Sequence, residues 1–431
     1  MFVAAQKSFE QGLSGAFWFI FPNFLALLVF APFALKVRKI LPKGYTFPQF
    51  IKMRHGKGVH VLYMIQFLIL QICSFAVQIL AGATLIKTLS GLPFLAVAIV
   101  LVLIVLIYAI IGGLRASVAT DYVQMGLIFI VLLVTIPWVI TKAGGFEIIS
   151  AGLAGFSGKF GNIFDPWVFY SFGIPTVIGL LSGPIGDQMH WQRAYSLKSD
   201  KDVIKTFSLA AFLFALVPLS LSLLGFVAAG KTVTAGWVIS SAQMVGPLTV
   251  SMLLPNFMLV AFVMMLLAGL CSTLDSILCA VSSLTVVDIF KPSRELVETG
   301  NDTNPNKMRI ARISMIAMAL LGLGVALIPN LKILHLFLFY ATLRAATLVP
   351  TILTVFWSKL KSRAVFWGVL LSMIFGAPLM AVGSFIGNPH ISVAGSILTV
   401  LIGLIVCLLI SKRSSEHDSI ATSELNLESL K

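Results

Sequence analysis

The segment LAGLCSTLDSILCAVSSLTVVDIF, residues 267–290, sets Ser272, Asp275, Ser276, Cys279 and Ser283 at intervals of three and four residues. On a helix these positions share one face, and Thr273 lies beside it. A cation stripped of water needs several oxygens in place of its hydration shell, and the Ser272 and Thr273 hydroxyls could supply two of them. The same hydroxyls could instead bond back to the preceding turn or across to a neighbouring helix, and spacing alone leaves these readings open. Asp275 is the sharper signal, because a carboxylate within an apolar run needs an interior, a partner or a wet vestibule. Gln71, Ser74 and Gln78 form a second stripe, readable as the lining of a polar pathway or as interhelical hydrogen bonding. Arg344, within FYATLRAATLVP, could hold a carboxylate of a bound solute, pair with a buried acid or snorkel to water.

The elements that must carry these residues are membrane helices. Hydrophobic residues make up 58% of the chain and charged ones 11%, with a mean hydropathy of +1.01. An ordinary soluble domain has roughly 25% charge. Lipid offers no hydrogen-bond partners, so each crossing segment must satisfy its own backbone as a helix or in a closed barrel. The apolar runs are continuous rather than alternating, which selects helices. About eleven runs are long enough to approach a span: residues 14–35, 59–86, 92–111, 119–140, 167–182, 204–229, 254–289, 310–327, 333–357, 364–386 and 391–410. Most of the 30 Lys and Arg residues fall in alternate loops, including Lys52, Arg193, Lys291, Arg294 and Arg309. That asymmetry predicts an N-terminus outside and a C-terminus in the cytoplasm. It also explains the net charge of +14 without nucleic acid as a partner.

Residues 1–411 therefore read as a single transmembrane unit, and 412–431, rich in Ser and Glu, as a disordered cytoplasmic tail. Cys73, Cys271, Cys279 and Cys407 lie inside apolar runs and read as packing residues. No phosphate loop, HExxH or Ser/His/Asp set is present, so no catalytic residue is assigned and an enzyme is disfavoured. The fifth run ends in GLLSGPIGDQMHWQR, where Gly179, Gly183, Pro184 and Gly186 crowd a short segment. Either the helix is discontinuous and exposes backbone near the midplane, or it stops there with Asp187 onward in the cytoplasm.

Several segments together resemble the sodium:solute symporter family. GGLRASVATDYVQ (112–124) is similar to its Gly-Gly-Leu-x-Ala and Thr-Asp-x-x-Gln pattern, and DQMHWQRAYSLKSDKD (187–202) to its Gln and Gln-Arg stretch. CSTLDSILCAVSSLTVVDIFKP (271–292) resembles its Ser-Thr-x-x-Ser-x-Leu run, and TFPQFIKMRHG (46–56) the loop after the second core helix. The resemblance implies a LeuT-like bundle of inverted repeats and sodium-coupled symport of a small organic solute. It implies sodium ligands at Ser272 and Thr273, with the Gly269 backbone, and a role for Thr120 and Asp121 in sodium passage. Gln188 and Arg193 match as structural or gating positions. Sodium is then the coupling ion, no cofactor is needed, and the setting is a bacterial-type inner membrane.

Residues 4–18 look like the connection leaving the family's first core helix, so two N-terminal helices seen in the family have no counterpart here. That departure leaves a transport-inactive remnant or a membrane sensor module as rival readings. Gly183 and Pro184 stand where sugar-transporting relatives carry an aromatic gate, which disfavours a sugar. Amino acids, carboxylates, urea and vitamins remain open as solutes, with Arg344 a hint toward an anionic group and the oligomeric state undetermined.

Overall fold

A computed structural model describes residues 2–290 and 305–412. The tail expected to be disordered and the loop residues Lys291 and Arg294 lie outside the described residues, apart from the backbone of Lys412. The regular elements are helical: α1 (Phe2–Ile40), α2 (Phe47–His55), α3 (Lys57–Ser90), α4 (Phe94–Ala143) and α5 (Phe146–Gly152). Next come α6 (Pro166–Leu181), α7 (Gln188–Ser196), α8 (Asp200–Ala235), α9 (Val245–Leu253) and α10 (Asn256–Ile289). The series closes with α11 (Pro305–Ala326), α12 (Ile333–Phe356), α13 (Ser362–Phe385) and α14 (Pro389–Lys412).

Among the described residues, 9 helices are long and apolar enough to cross a membrane. Helix α4 has 50 residues, about 75 Å at 1.5 Å per residue, against about 30 Å of hydrocarbon. It is interrupted at Gly113, where φ is 54° and ψ −146°. Tyr108 and Ser117 lie on either side of that glycine yet donate to the same Asp275 carboxylate. An unbroken helix would set them about 13 Å apart along its axis, so the chain doubles back at Gly113. Counting α4 twice and adding the shorter α6 returns the number of crossings expected from hydropathy.

The first helix is broken in the same way. Gly12 has φ 55° and ψ −144°, a region open to glycine, and a Cβ there would collide with the Leu153 carbonyl oxygen. The residues read from sequence as a connection are thus two helical arms. Residues 2–9 are buried, and the turn is clasped by Leu13 N–H donating to the Leu153 carbonyl at 2.8 Å and Phe156 N–H to that of Phe9 at 2.9 Å.

An aromatic core holds α7 in place. Phe30, Phe47, Phe50, Tyr63, Phe67 and Trp191 are fully buried, and Phe47 stacks on Trp191 with ring centroids 4.4 Å apart. The Trp191 indole N–H, which needs a partner when buried, donates to the Ile185 carbonyl at 2.8 Å. This closes the turn that precedes α7.

Candidate ion and solute sites

Between α6 and α7 the chain leaves helical geometry from Ser182 to Asp187 and then resumes. The segment rich in Gly and Pro is thus an interruption within a longer helix rather than its end, and residues 182–189 are buried. Backbone polar groups tolerate such a break inside a membrane only where protein or a polar cavity surrounds them. Asp187 caps α7, accepting from Met189 N–H at 3.0 Å.

The same carboxylate organises the first polar cluster. Arg344, at the centre of α12, donates from Nη2 to Asp187 Oδ2 at 2.5 Å, and Gln71 of α3 donates from Nε2 to Oδ1 at 2.8 Å. The guanidinium carbon lies 4.6 Å from the centroid of the Tyr340 ring, within cation–π range. Arg344 is 8% exposed and Asp187 0%. Gly183 belongs here too, since a Cβ on it would stand 3.6 Å from Arg344 Nη1. Of the readings open for Arg344, the structure selects pairing with a buried acid. The hint toward an anionic solute loses its basis, because the positive charge is already met. Of the α3 stripe, Gln71 reaches Asp187, while Ser74 is buried and Gln78 half-buried further along the helix.

The second cluster joins α4, α7 and α10. Ser272 donates to Asp121 Oδ1, and Arg193 donates to Asp121 Oδ2 at 2.6 Å and to Ser276 Oγ at 2.8 Å. Asp275, 0% exposed, accepts from Ser117 at 2.7 Å, Tyr108 at 2.8 Å and Thr120 at 3.4 Å. Ser276 links the halves by donating to Asp275 at 3.2 Å. Thr273 turns to its own helix, donating to the Gly269 carbonyl at 3.3 Å. Asp275, a solute-pathway candidate by its place within an apolar run, lies beside Asp121, Ser272 and Ser276. Gln188 is structural: its side chain accepts from Phe47 N–H and donates to the Tyr45 carbonyl, both at 3.1 Å.

Sequence reasoning did not single out Asp187, Tyr340, Tyr108 or Ser117. The one signal for Asp187 was its place at the end of the Gly and Pro run; Tyr108 sits in an apolar run without any. Helix α7 ties the clusters together. Asp187 is its N-terminal cap, and further along Gln192 donates to the Ser276 carbonyl at 3.1 Å while Arg193 holds Asp121.

Residues 3–372 match the sodium:solute symporter family. The urea-proton symporter DUR3 of Oryza sativa subsp. japonica is 21% identical over 443 residues, covering 94% of this chain and 60% of that protein. Probable urea active transporter 1 of Schizosaccharomyces pombe is 29% identical over 133 residues, covering 31% of this chain and 20% of that protein. The chain thus spans less than two thirds of the length of these relatives. A solved Na+-coupled sialic acid symporter, in a substrate-bound outward-open state, shares the fold with a TM-score of 0.65 at 16% identity, over 95% of this chain and 89% of that one. The expected all-α, LeuT-like polytopic bundle is borne out. With the family match running through both polar clusters and every helix that carries them, the chain belongs to the sodium:solute symporter family.

Proposed function

We propose that the chain performs sodium-coupled symport of a small organic solute by alternating access. The observation that carries this reading is the broken helix, whose inner half α7 touches both clusters. Asp187 caps it against Arg344 and Gln71, and Arg193, six positions on, reaches Asp121 and Ser276. Six residues of helix rise about 9 Å, so a shift of α7 that accommodates solute at one end is felt at the other.

Sodium takes its oxygens from Ser272, Thr273, the Gly269 carbonyl and Asp121. Among the described residues, Arg193 pairs with Asp121, while Asp275 beside it accepts from hydroxyls, which favours a cation. The solute sits at the break, among Gly183, Gln71 and Arg344. The two sites share α7, which couples them, and whatever factor one ligand adds to the other's affinity is returned in equal measure. Occupancy of both biases rocking of one helix bundle against the rest. The membrane potential contributes about 2.3 kcal/mol per sodium charge per 100 mV.

The setting is an inner membrane of bacterial type, and the basic loops support an orientation with the C-terminus cytoplasmic. Cysteines introduced at Lys52 and Arg309 should label from the same side; labelling from opposite sides would overturn that topology. The functional test is solute uptake into proteoliposomes under a sodium gradient. Uptake should vanish in choline buffer and fall sharply in the double variant Ser272→Ala, Thr273→Ala. Equal uptake in choline, or uptake driven by a proton gradient alone, would refute sodium coupling.

A further inference from the structure

We infer that the solute seat at the break between α6 and α7 selects a neutral planar amide, such as urea or a small carboxamide, and rejects carboxylates. The inference rests on the proposal that the break is where solute binds, and it names the class of solute.

The first argument is charge. The Arg344 guanidinium and the Asp187 carboxylate are 2.5 Å apart, and the pair is nearly closed to solvent. A carboxylate seeking Arg344 must displace Asp187, leaving two anions in a buried site that has one cation to share. A neutral solute leaves the pair intact.

The second argument is hydrogen-bond valence. Arg344 Nε and Gln71 Oε1 are both buried without a partner. Both belong to side chains anchored on the Asp187 carboxylate, one on each oxygen, beside the break. The orientation of the Gln71 amide follows from that anchor, because turning it over would point Oε1 at the carboxylate. The seat therefore offers one donor, the Arg344 Nε–H, and one acceptor, Gln71 Oε1. An ionised carboxylate only accepts and leaves Gln71 unmet; an ammonium only donates and leaves Arg344 unmet. An amide carries both functions in one plane. The Tyr340 ring packs against the guanidinium, 4.6 Å from its carbon, and helps to fix its plane.

The test uses the full chain in nanodiscs and two probes of matched shape, acetamide and acetate, with urea as a third. Binding is read as competition against radiolabelled urea and as thermal stabilisation, each with and without sodium. Acetamide and urea should bind, and acetate should be at least roughly tenfold weaker, since a site built around donors and acceptors rejects a ligand that leaves one unpaired. Arg344→Lys keeps the charge opposite Asp187 but removes the Nε–H, and Gln71→Leu removes the acceptor at similar volume. Each should weaken acetamide at least roughly tenfold while the sodium-induced change in tryptophan fluorescence persists. Acetate binding as tightly as acetamide overturns the inference, as does parental acetamide affinity in both variants. So does the absence of binding by either probe in protein that still responds to sodium. Loss of the sodium response in the parent overturns the sodium site instead, and the contrast between acetamide and acetate is then read in the sodium-free arm.

Discussion

The two polar clusters share α7 but meet their charges differently. At Asp187 one carboxylate faces one guanidinium, both nearly closed to solvent, with Gln71 on the remaining oxygen. At Asp121 the Arg193 side chain is 38% exposed and the Asp121 side chain 21%, and the nearby Asp275 accepts from hydroxyls alone. The first cluster is balanced and sealed; the second is acid-rich and partly wet. A balanced seat favours a neutral occupant and an acid-rich one a cation, so a protein that couples an ion to a solute can keep the two apart while holding them on one helix.

The sharpest way to break that comparison is to remove one acid from each cluster. Asp187→Ala strands Arg344 without its counter-charge and should cost about 3–5 kcal/mol, the range for a broken buried pair, read as a large fall in melting temperature. Replacing both Asp187 and Arg344 by Leu should recover most of it. Asp275→Ala removes the acceptor of the neutral hydroxyls of Tyr108, Ser117, Thr120 and Ser276 and strands no charge, with an expected loss of about 1–3 kcal/mol. Equal losses in the two single variants would erase the distinction.

A smaller effect on stability but a clear one on function is expected for Asp121→Asn. Its partner Arg193 is exposed enough to hydrate, so the melt should move by no more than about 1 kcal/mol equivalent. The sodium concentration giving half-maximal response should rise roughly tenfold, which corresponds to about 1.4 kcal/mol. Unchanged sodium affinity in this variant would remove Asp121 from the ion site.

The smallest effect is a control outside both clusters. His55 of α2 lies within hydrogen-bond distance of Thr354 Oγ1 at 3.0 Å and Ser362 Oγ at 3.3 Å. Burial, with Arg54 adding to it, lowers its pKa from 6.5 to about 4. A base held neutral by folding contributes stability that is complete above the unfolded value of 6.5 and is lost as pH falls toward about 4. Melting temperature should therefore decline across that window, and His55→Gln should flatten part of the decline. A slope unchanged in His55→Gln would assign it to other groups.

Much of this architecture is legible in the chain because its causes are local. Hydrophobic run length marks the crossings, and Gly112 with Gly113 separates two of them within what is otherwise one long helix. The spacing from Ser272 to Ser276 predicts a polar face, and Gly183, Pro184 and Gly186 announce the break. The turn at Gly12 is less legible, since its tightness depends on the Leu153 carbonyl packing against it. Asp187 is the instructive miss. Next to a Gly and Pro run it reads equally well as the first residue of a cytoplasmic loop, and only the helical packing of Trp191 beyond it returns the chain to the interior.

The sequence by itself determined which segments cross the membrane, where one helix is interrupted or ends and which helix presents hydroxyls, because these follow from hydropathy, periodicity and the conformational limits of Gly and Pro. The tertiary structure decided which charges are free. Asp187 meets a glutamine 116 positions before it and an arginine 157 positions after it, and no local pattern encodes a pairing across such distances. That pairing turns Arg344 from an open positive charge into half of a neutral pair, because the field of a buried charge is set by what folds against it.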